Sequence, residues 1–509
     1  MRGTESHVNS TDAAEKRKVL QATTFGKPTA EEEGEDLSAY FVETDQWQRL
    51  FAGDIDVIYG AKGSGKSALY SLLLSRTSEL FDRGIMIVAA ENPRGAVAFR
   101  DLVANPPADE AEFRNLWKLF FLVLVAQTLR DYGVASPRLR KVLEPLEEAR
   151  LIPRNASLRG LLQTAFSYVR RIMRTDALAL ETTISINPVN SMPSGVTGRI
   201  RFVEPSSLEE SMGWVSVDHL LELANTALEE SKFRVWLVLD RLDVAFAEST
   251  DLERNALRAL FRVYLDMRKF QAISLKIFLR TDIWMSILRG GFREASHISS
   301  QMTILWDEAS LLNLVIRRAV HNNALRTFYL IDPAKTLSDR SDQVSVFYRI
   351  FPRKVRTTEP LRTFDWILQN TCDGSRQNSP RELIHLLSAA RQLQLRRYEV
   401  GQTPPEGDTL FDAVSLVNAL PEVARVRFQQ TLCAEYPHLR ERMQQLENEK
   451  SDHTPDTLAN IWRVNADDAV GIAYQLVDIG FFQFTGTRRA PRFLLPLLYQ
   501  SALKIRRGR

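Results

Sequence analysis

The sequence predicts an α/β fold in which a parallel sheet carries a helical insertion and is followed by an α-helical lid and a small C-terminal domain. Three observations carry that expectation. Short β-rich apolar runs at residues 54–59, 84–90, 233–240, 273–280 and 302–306 alternate with stretches of helical apolar spacing, the pattern of parallel strands with helices on both faces. The 509 residues are 44% hydrophobic and 25% charged, enough to bury a sizeable core over two or three domains. The longest apolar run, LFFLVLVA at residues 119–126, falls far short of the roughly 18 residues of a membrane span, so it reads as a buried helix.

Charge and cysteine content narrow the function classes. Sixty-six Lys and Arg against 63 Asp and Glu leave a formal +3, so a nucleic-acid or membrane partner has to be argued from local charge. Cys372 and Cys433, far apart, offer neither a CxxC metal pair nor a disulfide framework and fit two free thiols in a reducing, cytoplasmic setting. The seven histidines have no metal-ligand spacing with one another. The N-terminus is polar and lacks the apolar region of a signal peptide, so the protein is expected to stay where it is made.

Taken in order, residues 1–36 end in EEEGED with few large apolar side chains and read as a flexible tail. The sheet region is expected over 37–306. Residues 94–232 are too many for a simple crossover between strands, so they form an inserted subdomain, helical first and then a hairpin or extended loop around Pro188, Pro193, Gly195 and Gly198. Residues 307–400 are helical and form the lid. GQTPPEGDT (residues 401–409) reads as a linker. Residues 410–509 end in a helix and two short strands around the basic turn TGTRRAPR, the pattern of a winged-helix domain.

The informative motif is GAKGSGKS (residues 60–67), a GxxxxGK(S/T) phosphate loop placed after a strand and opening a helix. Gly60, Gly63 and Gly65 let backbone N–H groups turn inward, with Ala61, Lys62, Ser64 and Ala68 completing the loop and the first helical turn. The helix N-terminus adds partial positive charge for an anion. Lys66 is expected to reach the β- and γ-phosphates of ATP, and Ser67 to ligate Mg²⁺. The second metal carboxylate is Asp240, pushed out by the apolar run of residues 236–239 at the carboxyl edge of the sheet. Arg241 follows it, so the base that orients water falls to Asp243 or to Glu91; Asp243 can equally cap the next helix. Tyr40 and Phe41, ahead of the first strand, are candidate adenine contacts or plain core.

With these motifs the chain resembles the AAA+ and STAND-type P-loop ATPases, with the origin-recognition-like branch and its C-terminal winged helix as the closest pattern and a bacterial setting expected. The resemblance runs from about residue 37 to residue 509, the insertion excepted. It implies a P-loop NTPase sheet, Mg²⁺-dependent hydrolysis of ATP, and a homo-oligomer. It places a polar sensor of the γ-phosphate at Arg280 or Thr281, where the alternative is a strand-end ion pair of Arg280 with Asp282. It nominates Arg381, at the start of the lid helix in NSPRELIHLL, as a nucleotide contact, although Pro380 also marks an ordinary helix start. It nominates Arg293, with Arg289 second, as a finger toward a neighbouring subunit. No NKxD segment, correctly placed ABC signature or helicase motif series is present.

Two basic clusters remain. Arg488, Arg489, Arg492, Lys504, Arg506, Arg507 and Arg509 have no acidic residue among them, and the first three lie on the proposed wing, where a winged helix touches DNA. Arg349, Arg353, Lys354, Arg356 and Arg362 lie in the lid. The expected function is therefore an ATP-driven switch of assembly or of recruitment of a separate effector protein, as in phage defence. The alternatives are an ATP-dependent DNA-binding protein and an ATP-binding scaffold with little hydrolysis.

Overall fold

In the computed structural model, residues 4–90, 106–107, 109–154, 157–181, 199–242, 250–356, 360–405 and 407–506 are described. They form two units, one of Asp45–Gly60 and Lys66–Thr303, the other of Met1–Thr44, Ala61–Gly65 and Ile304–Arg509. Among the described residues no helix is long and apolar enough to cross a membrane.

The first unit is built on strands β1 (Val57–Gly60), β2 (Ile85–Ala89), β3 (Ile200–Arg201), β4 (Val215–Ser216), β5 (Arg234–Leu239), β6 (Ile273–Arg280) and β7 (Gln301–Thr303). Five of them make one parallel sheet in the order β2-β5-β6-β1-β7. β1 is buried throughout and β5 from Val235 to Leu239, as expected of strands in a parallel sheet covered on both faces. The fifth expected strand is shorter than residues 302–306, because pairing with β1 stops at Thr303. Within the insertion, helix Glu110–Asp131 is capped by Asp109, whose carboxylate accepts from Glu112 N at 2.8 Å, and its apolar run 119–126 is buried. It packs on helices Leu158–Glu181 and Thr250–Met267. The expected hairpin falls largely on residues 182–198, outside the described residues; on either side of the short helix Ser207–Ser211, β3 and β4 pair in parallel.

The second unit is mainly helical and closes with β8 (Asp452–His453), β9 (Gln483–Thr487) and β10 (Ala490–Leu494) in an antiparallel sheet ordered β8-β10-β9. Helices Pro455–Trp462 and Ala466–Asp478 lie between β8 and β9 in the chain. Among the described residues of the expected flexible tail 1–36, residues 4–36 include a packed helix and buried side chains. Helix Thr4–Ala22 lies against helix Pro380–Glu399, Phe25 packs in tilted ring contacts with Phe351 and Phe411 at 6.0 and 5.9 Å, and Glu33 of the acidic cluster forms a buried pair with Arg318. The stretch 401–409 is likewise no free linker: Lys16 donates to the carbonyls of Pro405, at 3.0 Å, and Gly407, and Tyr329 donates to that of Asp408 at 2.7 Å. Backbone carbonyls shielded from water need donors, and here the donors come from 389 and 391 residues away in Lys16 and 79 residues away in Tyr329.

Candidate functional site

In the sheet unit, β1 ends at Gly60, which is in register with Arg280 at the end of β6. Helix Lys66–Ser75 starts six residues later and carries Ser67 in its first turn. The Lys66 ammonium donates to the Gly60 carbonyl at 2.9 Å. The buried run of β5 delivers Asp240, 3% exposed, at the carboxyl edge of the sheet, with Leu239 in register with Ile277. One strand, β6, separates β5 from β1. Arg241 adopts φ +57°, a left-handed backbone that is uncommon for a side chain of this size. Asp243 and Glu91 lie outside the described residues.

Arg280 holds Asp282 through Nε at 3.1 Å and Nη2 at 2.8 Å, and Thr281 begins helix Thr281–Arg289. The strand-end ion pair is therefore formed. Arg289 donates to the Met285 carbonyl at 3.3 Å, and Arg293 is exposed at the start of the 3₁₀ turn Arg293–His297.

In the second unit, Gly63 and Gly65 have φ +81° and +99°, the conformation that glycine adopts at least cost. A Cβ on Gly63 would collide with Ser379 Oγ and come within 3.1 Å of Arg381 Cβ, so the start of helix Pro380–Glu399 lies directly against the loop. Ser379 caps that helix, accepting from Arg381 N at 3.3 Å, and Pro380 occupies its first turn. The Ser64 carbonyl accepts from Trp306 Nε1 at 2.8 Å, which explains a conspicuous aromatic just past the last sheet strand. Ser64 Oγ is buried and has no hydrogen-bond partner among the described residues. Lys62 forms an ion pair with Glu435, a partner that nothing in the local sequence announces.

A cavity of about 430 Å³ is lined by Lys62 and Arg381 together with Thr29, His385, Arg425 and Arg427. Burial pushes the His385 imidazole below its ordinary pKa, against the opposing pull of Glu422 and Glu382. Of the candidate adenine contacts, Tyr40 is taken up by packing: its ring meets His321 edge-on at 4.9 Å and Arg318 at 4.6 Å, leaving it 4% exposed. Phe41 is half-buried. Thr29 carries no sequence signal for such a role; its place on the cavity wall follows only from the packing of the chain around it.

At the other end of this unit, Arg488 and Arg489 form the exposed turn between β9 and β10. Arg492 pairs with Asp452, and Lys504 with Glu447 at 2.7 Å, so two members of the basic cluster are neutralised.

No family model and no curated protein matches this chain. Among solved structures, Cdc6p from Pyrobaculum aerophilum is 12% identical over 92% of this chain and 96% of its own, with a TM-score of 0.29. The ORC2 protein of Aeropyrum pernix, solved as ADPNP–ADP complexes, is 12% identical over 89% of this chain and 88% of its own, with a TM-score of 0.35.

Proposed function

We propose that the chain is an ATP-binding and ATP-hydrolysing switch of AAA+/STAND-like type that controls assembly or recruits a separate effector. The observation that supports it most is the glycine-rich loop closing β1, with Lys66 bonded to Gly60 O and a buried Asp240 at the end of β5 in the same sheet. The residues fit the nucleotide and its metal. Positive-φ glycines leave backbone N–H groups unobstructed by side chains, and the Ser67 hydroxyl with the Asp240 carboxylate are hard oxygen donors of the kind Mg²⁺ takes. Among the described residues no three His, Cys, Asp or Glu side chains converge as a different metal site. Mg²⁺ held there would offset phosphate charge.

In this reading Lys66 exchanges the Gly60 carbonyl for phosphate oxygens, and the loop amides position the chain of phosphates. Asp243 orients a water and takes its proton as the water oxygen bonds to the γ-phosphorus and the bond to ADP breaks. Arg280 or Thr281 senses the γ-phosphate, Arg381 contacts the nucleotide from the lid, and Arg293 serves a neighbouring subunit in a homo-oligomer. For Arg280, sensing requires the guanidinium to loosen its pair with Asp282.

Nucleotide binding and turnover, with particle mass measured with and without ATP, test the proposal. Lys66→Ala is expected to abolish ATP binding, and Asp243→Ala to keep binding while lowering turnover by about a hundredfold, the scale of general-base catalysis. Unchanged binding by Lys66→Ala would sink the nucleotide site; unchanged turnover by Asp243→Ala would remove Asp243 from the mechanism and favour slow hydrolysis by a scaffold.

A second reading has an observation behind it. The C-terminal order of strand, two helices and two-stranded ribbon supports the expected winged-helix domain, in which the exposed Arg488–Arg489 turn is where DNA phosphate would be met. The pairing of Arg492 with Asp452 works against it, since that carboxylate would have to give way.

A further inference from the structure

Arg427 lies in the π-helical turn Val426–Leu432, a wide turn of a kind that recurs at functional positions. Its guanidinium faces two carboxylates, with Nη1 3.2 Å from Glu382 Oε1 and Nη2 3.8 Å from Asp373 Oδ2, and all three side chains are more than nine-tenths buried. Asp373 is itself held: its Oδ1 accepts from Ser375 N at 2.9 Å, Ser375 Oγ at 2.6 Å and Gln377 N at 3.2 Å. Glu382 directly follows Arg381 in the first turn of helix Pro380–Glu399, the turn that abuts Gly63. Eight residues beyond Arg427, Glu435 pairs with Lys62 of the phosphate loop. One short segment of the C-terminal region thus holds both the loop and the helix start that lies on it.

We propose that Arg427 is the positioning residue for Arg381: by holding Glu382 against the fixed Asp373, it sets the rotation of the helix start and so the aim of the Arg381 guanidinium at bound nucleotide. This rests on the nucleotide-switch reading. Its physical basis is that a desolvated cation between two carboxylates keeps its geometry only while all partners remain, and that a small misplacement of a positioning contact weakens what it serves. Buried salt bridges are poor evidence of stabilisation alone, so the role must be separated from simple packing.

The test is a double-mutant cycle on the full chain, with the dissociation constant for Mg²⁺–ATP read by calorimetry. Arg427→Met and Arg381→Ala are each expected to weaken binding about tenfold, and the double variant to bind no more weakly than Arg381→Ala alone, since contacting residues that act through one another are non-additive. Arg427→Lys should recover part of the loss. Should Arg427→Met not fold, Glu382→Gln enters the same cycle with the same expectation. Losses that multiply in the double variant, or parent affinity in Arg427→Met, would overturn the positioning role while leaving the nucleotide site standing. A parent chain that does not bind Mg²⁺–ATP overturns both.

Discussion

Each unit holds a buried cation that links segments distant in sequence, and the two do different work. In the sheet unit it is Lys276, in the middle of β6, which donates to Ile55 O at 2.7 Å, Gly53 O at 3.0 Å and Asp56 Oδ1 at 2.9 Å, with the Trp236 ring 4.5 Å away. In the other it is Arg318, which reaches Glu33 Oε2 at 3.0 Å and Phe25 O at 2.8 Å over the Tyr40 ring. Lys276 braces residues that the sheet already joins, since β6 and β1 are hydrogen-bonded neighbours. Arg318 ties together segments that no strand ladder connects. A polar anchor therefore reinforces the first unit, whereas it helps to define the membership of the second.

That contrast can be broken experimentally. The largest effect is expected for Arg318→Met, which leaves the Glu33 carboxylate buried without its cation and should cost about 3–5 kcal/mol. Limited proteolysis should then cut within residues 1–44, and unchanged resistance there would mean that aromatic packing alone holds the segment. Lys276→Met should cost less, about 2–3 kcal/mol, because Asp56 keeps some solvent access and a hydrogen bond from Tyr264 at 3.0 Å. Denaturant midpoints would show it; a loss as large as that of Arg318→Met would erase the distinction between brace and tie.

The smallest effect sharpens the comparison at the C-terminal end of the second unit. Burial depresses the His453 pKa, against the opposing influence of the Lys450 backbone and of Glu449 and Asp452. A histidine with a lowered folded-state pKa contributes its full stability above the unfolded value of about 6.5 and loses it as pH falls from there toward the folded value. Melting temperature should therefore decline below about pH 6.5, and His453→Gln should flatten that slope. An identical slope in the variant would place the acid sensitivity elsewhere.

Much of the sheet was legible because its signals are local. Runs such as VWLVL announce strands buried on both faces, and the glycine spacing of residues 60–67 announces a tight loop wherever it occurs. The N-terminal segment was misread for the opposite reason. EEEGED looks solvated until Arg318, far along the chain, neutralises Glu33, and the polar stretch of helix Thr4–Ala22 looks disordered until helix Pro380–Glu399 packs against it. Tyr40 illustrates the same limit at the candidate site, since its ring was equally suited to a base or a core and the neighbours His321 and Arg318 decide for the core.

By itself the sequence determined the α/β character, the strands of the parallel sheet, the phosphate-loop motif and the placement of Asp240 at a strand end, because periodicity and glycine conformation act over a few residues. Tertiary structure alone decided the strand order, the packing of residues 13–36 and the partners of the charges: Lys62 with Glu435, Arg427 with Glu382, Arg492 with Asp452. The reason is physical. Whether a charge is a solvated surface group or a buried anchor depends on what desolvates and pairs it, and here those groups come from distant parts of the chain.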